Sequence, residues 1–186
     1  MHRAFLYFPG DRLSPAELCA ARLDGHVVEV GDAYAPADTV ETPALRAASL
    51  QPLLGATLAA THLSAAWVFG GPPDPPVRHT VQRASPRRPH SSFDVRVRYR
   101  DLQLPIHDLV RIGGVLVTTA ERTLADLARV DDDEHRSAFA LLADASPGLA
   151  KRAMAWLEGQ GPVWAKRSGL VRLRSRVQEE VTRYTS

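Results

Sequence analysis

The alternation of apolar and polar positions changes period several times along this chain, and each change marks an element. The first helix is announced at its start: Ser14-Pro15-Ala16-Glu17 offers a capping serine, a proline at the first helical position and a glutamate three residues after the cap. The pattern predicts a helix to about residue 23, stopped by Asp24-Gly25, then a strand over 26–30 closed by Gly31-Asp32 and returned around Tyr34. Residues 43–54, with Leu45, Leu50 and Leu53, read as a connecting helix, and Thr61 as the cap of a helix over 62–69 that Gly70-Gly71 ends. Pro72, Pro73, Pro75 and Pro76 then make a rigid extended loop.

Period two comes next. Strands are predicted over 77–83 and 93–100, joined by a loop containing Pro86-Arg87-Arg88-Pro89. In the second, Phe93, Val95, Val97 and Tyr99 point to the core while Asp94, Arg96, Arg98 and Arg100 point the other way. Residues 109–112 and 115–117 read as a hairpin across Gly113-Gly114. The period then returns to 3.6. Thr118-Thr119-Ala120-Glu121 reads as a capping box for a helix through 129 that buries Leu124, Leu127 and Ala128. Helices over 133–145 and 147–159 come after it, and a last one from about residue 170 lines up Leu170, Leu173, Val177, Val181 and Tyr184. The fold class is α/β (α+β): a small antiparallel or mixed sheet covered by helices, with a helical C-terminus and no internal repeat.

Composition adds an asymmetry. With 45% hydrophobic and 24% charged residues the chain resembles an ordinary globular domain. Yet Lys151 and Lys166 are its only lysines among 23 basic residues, against 21 acids. The net charge of +2 conceals blocks: residues 1–50 carry 4 basic and 7 acidic groups, 51–111 carry 8 and 4, 112–150 carry 3 and 7, and 151–186 carry 8 and 3. Local charge, not the total, sets the field a polyanion meets. Cys19 stands alone, which excludes an intrachain disulfide or a thiolate-rich zinc site and fits a reducing compartment. The apolar run at 4–8 is shorter than a signal peptide or a membrane span requires, so cytoplasmic residence without membrane attachment is expected.

Catalytic motifs are missing. The sequence has no Gly-x-Ser-x-Gly elbow, dinucleotide-binding glycine pattern or Gly-Lys-Ser/Thr phosphate loop. The seven histidines, at 2, 26, 62, 79, 90, 107 and 135, include no i, i+4 pair. Neither lysine follows an acid by two residues, as nuclease chemistry of the restriction-enzyme kind favours, and Asp94 is followed by Val95-Arg96 instead of the second aspartate of a nucleotidyl transferase. Asp131-Asp132-Asp133 reads as a solvated helix start. A non-enzymatic protein with no metal and no cofactor is expected.

The most specific feature is the arginine stripe at 96, 98 and 100. Two residues of strand advance about 6.6 Å, a spacing similar to that of successive phosphates. Arg83, Arg87 and Arg88 on the adjoining strand and loop enlarge the patch. Two readings stand open: the stripe faces duplex nucleic acid, or it pairs internally with acids such as Glu121, Asp126 or Asp144. The rings of the 93–100 segment face the core, which disfavours a stacking platform for single strands. On the last helix Arg172, Arg174 and Arg176 form a second basic group, partly compensated by the i, i+4 pairs Arg176–Glu180 and Glu179–Arg183.

Two segments carry a family resemblance: Thr61-His62-Leu63-Ser64-Ala65-Ala66-Trp67-Val68-Phe69-Gly70 and, after a strand pair, Gly114-Val115-Leu116-Val117-Thr118-Thr119-Ala120-Glu121-Arg122-Thr123-Leu124-Ala125-Asp126-Leu127-Ala128-Arg129. In this order they resemble the actinobacterial AbiEi-like antitoxins of type IV toxin–antitoxin systems, over roughly residues 12–145. The resemblance implies an operator-binding winged helix that represses its own operon, a C-terminal antitoxin domain, and a nucleotidyltransferase-like toxin as genetic partner. On this reading residues 1–42 are a shortened winged-helix-like region, with Arg12, Ser14 and Arg22 as phosphate contacts, and 43–186 are the AbiEi-like domain. The first region has an acidic balance, which moves the expected contacts to the stripe. Arg122 and Asp126, four apart, are expected to be a structural pair. The function expected is a DNA-binding regulator of a toxin–antitoxin operon. The alternatives are a protein-interaction module that has lost DNA binding and, third, a degenerate nuclease or nucleotidyltransferase.

Overall fold

The structure, a computed structural model, describes residues 5–88 and 94–185, and side chains as far as residue 182. The chain is an α+β protein with a two-stranded and a five-stranded sheet. Helix α1 (Pro15–Leu23) starts with the capping box the sequence predicts: Glu17 N–H donates to Ser14 Oγ at 3.3 Å and Ser14 N–H to the Glu17 carboxylate at 2.8 Å. Strands β1 (Val27–Val30) and β2 (Ala33–Pro36) form an antiparallel hairpin, and Tyr7 bridges to Tyr34. Leu6, Phe8, Val30, Ala33 and Ala35 are buried in one cluster with Leu45, Trp67, Val81 and Val117, so the N-terminal hairpin shares its core with the large sheet.

The helix expected over 43–54 is two helices. α2 (Pro43–Ser49) ends at Leu50, and α3 (Gln51–Leu54) restarts with Pro52 in its first turn, since proline has no N–H to continue the earlier ladder. Strand β3 (Leu58–Ala60) has no counterpart among the predicted elements, because three consecutive buried apolar residues carry no alternation. β4 (His79–Arg83) pairs with it antiparallel. β5 (Val97–Gln103) runs parallel to β4 on its far side, with Thr80 opposite Arg98 and Gln82 opposite Arg100. β6 (Leu109–Ile112) and β7 (Val115–Thr118) form the expected hairpin, and β7 joins β3 parallel, giving the mixed order β5-β4-β3-β7-β6.

The pairing corrects the sequence pattern at one strand. β5 begins four residues later than the alternation suggests because its partner β4 starts opposite Val97; residues 94–96 precede the ladder, and Val95 is 81% exposed instead of core. Phe93, the first of that apolar series, lies outside the described residues.

Helix α4 (His62–Val68) is buried along its whole length. Thr61 holds the N-cap position without capping: its hydroxyl contacts Thr80 O at 3.4 Å and His62 Nδ1 at 3.1 Å. Ser64 Oγ accepts from Thr80 N–H at 2.9 Å and meets His79 Nδ1 at 3.1 Å, tying α4 to β4. α5 (Ala120–Ala128) is capped by Thr119 through Arg122 N–H at 3.3 Å, so Arg122 takes the third helical position and the predicted box with Glu121 does not form. Thr118 instead binds the Thr123 hydroxyl at 2.8 Å. α6 (Asp133–Ala145), capped by Asp132, α7 (Leu149–Gly159) and α8 (Lys166–Thr185) complete a second core with α5, around Leu124, Leu127, Leu142, Leu149, Leu157 and Leu173. α8 starts four residues before the expected point; of its predicted apolar face, Leu173 is buried, Leu170 and Val177 are half-buried, Val181 is exposed, and the Tyr184 side chain lies outside the described part.

Candidate functional site

The arginine stripe divides. Arg96, in the turn before β5, is consumed by acids: its guanidinium donates to Asp94 at 2.8–3.0 Å and to Asp32 at 2.6 Å. Those hydrogen bonds hold the Asp94 carboxyl down at about 2. Arg83 and Arg88 share Asp101, at 3.5 and 3.0 Å, and Arg83 also donates to Pro86 O at 2.5 Å. Arg22 meets Glu29 at 3.4 Å, Ser14 is occupied as the cap of α1, and Arg12 is exposed. The acids expected as internal partners of the stripe are largely engaged elsewhere: Glu121 holds Arg152 at 2.9 Å and Asp144 holds Arg176 at 2.5 Å.

Among the described residues, the arginines with no carboxylate within 4 Å are Arg12, Arg78, Arg87, Arg98, Arg100, Arg111 and Arg167. Arg98 and Arg100 lie on β5, Arg87 on the segment between β4 and β5, and Arg78 just before β4, where it donates to Val97 O at 3.3 Å. Uncompensated positive charge therefore gathers along one edge of the sheet. The basic group on α8 is neutralised instead: Arg172 reaches Asp131 at 3.0 Å, Arg174 reaches Glu158 at 3.3 Å, and the buried Arg176 is met by Asp144, Glu179 and Glu180. The predicted Glu179–Arg183 pair falls on a side chain outside the described part.

Beside this edge opens a cleft of about 350 Å³. Its walls are Gln82, Arg100 and Leu102 from the sheet, Arg122 and Asp126 from α5 with Arg129 capping its C-terminus, His62 from the start of α4, and Trp156 and Trp164 around the α7–α8 connection. Asp126 is fully buried, accepts from Arg122 Nε at 2.8 Å and is held by Arg129. Burial alone would raise its carboxyl; the positive charge around it, which with His62 neutral at pH 7 is that of the Arg122 and Arg129 guanidiniums, lowers it. Arg122 also donates to Asp108 at 2.8 Å and lies over the Trp156 ring at 4.8 Å, and the Trp156 indole donates to the other oxygen of Asp108 at 2.8 Å. The expected Arg122–Asp126 pair is thus the centre of a larger network.

Arg100 differs. Among the described residues its guanidinium hydrogen-bonds the Nε2 of His62, at 3.1 Å, and burial, with Arg98 and Arg129 nearby, lowers its proton affinity against the opposing pull of Asp126. His62 is neutral at pH 7, because burial brings it down to about 4 against the opposing pull of Asp126, so its Nε2 accepts from Arg100. His62 carries φ +49°, one of two non-glycine residues with positive φ among those described; the other, Ala165 at +53°, adjoins Trp164 at the mouth of the same cleft. Left-handed backbone costs a non-glycine residue of order 1–3 kcal/mol and collects at sites that bind or react. The Gln82 carboxamide oxygen is buried there without a partner.

Reasoning from the sequence missed Arg78, His62, Gln82, Arg129, Trp156 and Trp164 as neighbours. Arg129 carried one usable signal, its i, i+3 spacing from Asp126. No cluster of three or more His, Cys, Asp or Glu residues suited to a metal ion occurs among the described residues, and no helix among them is long and apolar enough to cross a membrane.

No protein-family model matches this chain, and no curated protein does. Among solved structures, it is similar to the RV2827C protein from Mycobacterium tuberculosis, with 19% identity, 91% of this chain and 70% of that chain covered, and a TM-score of 0.41. A likeness that loose has no bearing on function, and the chain's role rests on its own side chains.

Proposed function

We propose that this protein is a non-enzymatic, AbiEi-like antitoxin that acts as a DNA-binding regulator of its own operon, gripping duplex phosphates with the β4–β5 edge. The observation that carries the reading is the gathering of carboxylate-free arginines, Arg78, Arg87, Arg98 and Arg100, on that edge, while most arginines elsewhere are paired. Phosphate contacts of this kind supply sequence-independent affinity. The fold also packs together the two segments on which the resemblance rests: Leu63 and Ala66 share a buried cluster with Leu124, Leu127 and Ala128, and His62 and Asp126 face one cleft. A nucleotidyltransferase-like toxin encoded beside it, and cytoplasmic residence, belong to the same proposal.

The test is fluorescence anisotropy with a duplex taken from upstream of the protein's own gene, at low salt. Saturable binding is expected, weakened by R98A and much less by R174A, since Arg174 is already paired with Glu158. Absence of binding at low salt would overturn the reading.

A further inference from the structure

We infer that the cleft between β5, α5 and the α7–α8 connection is a binding site for a small planar organic anion of single negative charge. The site shares Arg100 with the edge proposed to meet DNA, so it is tested in the absence of DNA. Its floor fixes the charge. Three guanidiniums, Arg100, Arg122 and Arg129, stand against two carboxylates, Asp126 in the cleft and Asp108 behind Arg122. One positive charge is left over, and it resides on Arg100, which among the described residues has no carboxylate within 4 Å and hydrogen-bonds a neutral imidazole. A carboxylate or a phosphodiester docking on the half-buried Arg100 supplies the missing counter-charge through charge-assisted hydrogen bonds. A dianion would be only half compensated.

The lip fixes the body of the ligand. Trp164 is 72% exposed and Leu102 63%, and both line the cleft, so it carries an apolar margin beside its cationic groups. A flat ring covering that margin removes apolar surface from water and stacks on the indole. The buried Gln82 carboxamide oxygen has no partner and awaits a donor from the ligand. The volume, about 350 Å³, lies at the small end of ligand pockets, which run from about 300 to 1,000 Å³.

Isothermal titration calorimetry on the full chain, without DNA, tests this with two planar monoanions, 1-naphthoate and 3′,5′-cyclic AMP, which separate a carboxylate from a phosphodiester head. Acetate and neutral 1-naphthamide are the controls. The inference predicts saturable one-to-one binding of at least one monoanion, about tenfold or more tighter than either control, and weakened about tenfold by R100Q. W164A, on an exposed side chain that does not support the core, is predicted to weaken it similarly, so the test survives if R100Q misfolds. The inference is overturned if neither monoanion saturates, if 1-naphthamide binds as tightly as the tighter of the two monoanions, or if folded R100Q and W164A bind like the wild type.

Discussion

Replacing Asp126 by Asn is the most informative perturbation of the buried network. The change preserves shape but removes the charge that Arg122 and Arg129 share, and it turns a carboxamide NH₂ toward one of the two guanidiniums, donor against donor. Arg122 keeps Asp108 at 2.8 Å, whereas Arg129 keeps only a hydrogen bond to Trp164 O at 3.2 Å. Removing one partner of a buried ion pair costs about 3–5 kcal/mol, because the remaining charge stays desolvated. With a urea dependence of about 2 kcal/mol per molar, the midpoint should fall by about 1.5–2.5 M at pH 7. Because the Asp126 carboxyl is lowered in the folded state, its contribution is present above the ordinary carboxylate range and is lost as the pH falls through the folded value. The gap between wild type and D126N should therefore be the same at pH 7 and pH 5 and close in stronger acid. The double variant D126N/R129Q should recover part of the loss. A midpoint shift below about 0.5 M would refute the account of this network.

Three further outcomes are expected. His62 and His79 are both brought down to about 4 by burial, so the folded state binds fewer protons than the unfolded chain between pH 4 and 6.5; stability should fall by about 3 kcal/mol per histidine as the pH drops through that window, and urea midpoints at pH 7 and 4.5 that agree would contradict it. Gly113 has φ +56° and a Cβ there would press into Ala44 O and come within 2.7 Å of Ala48 N, whereas Gly114, φ +90°, has open space; G113A should lower the thermal midpoint by at least about 4–8 °C and G114A by clearly less, and equal losses would refute the packing of the hairpin on α2. A Cβ on Gly169 would lie 2.7 Å from Arg129 Cγ and 3.1 Å from Leu157, so G169A should displace Arg129 and weaken binding in the cleft while costing less stability than D126N; calorimetry with 1-naphthoate and urea denaturation check both parts.

Elements with a local chemical signature are legible in the sequence. The Ser14/Glu17 box, the Gly113-Gly114 turn and the helix start at Asp131-Asp132-Asp133 each act within a few residues and appear where the pattern puts them. The failures at the arginine stripe originate in pairing. Nothing within residues 93–100 reveals that β4 starts opposite Val97, so the alternation extends the strand too far back and groups Arg96 with Arg98 and Arg100. Asp32, the acid that captures Arg96, lies 64 residues away on the β1–β2 turn and carries no spacing signal. The cleft is illegible for the same reason: its parts come from residues 62, 82, 100–102, 122–130 and 156–164, and only the Arg122–Asp126–Arg129 segment is local.

The central claim, that the free arginines of the β4–β5 edge hold DNA phosphates, is tested most directly by the salt dependence of binding to the upstream duplex. Each phosphate contact contributes about 0.9 to the slope of log K against log salt. R78A/R87A/R98A removes three cations that lie outside the cleft, so the account predicts a slope shallower than the wild type's by about 2 to 3. An unchanged slope in that folded variant would contradict it.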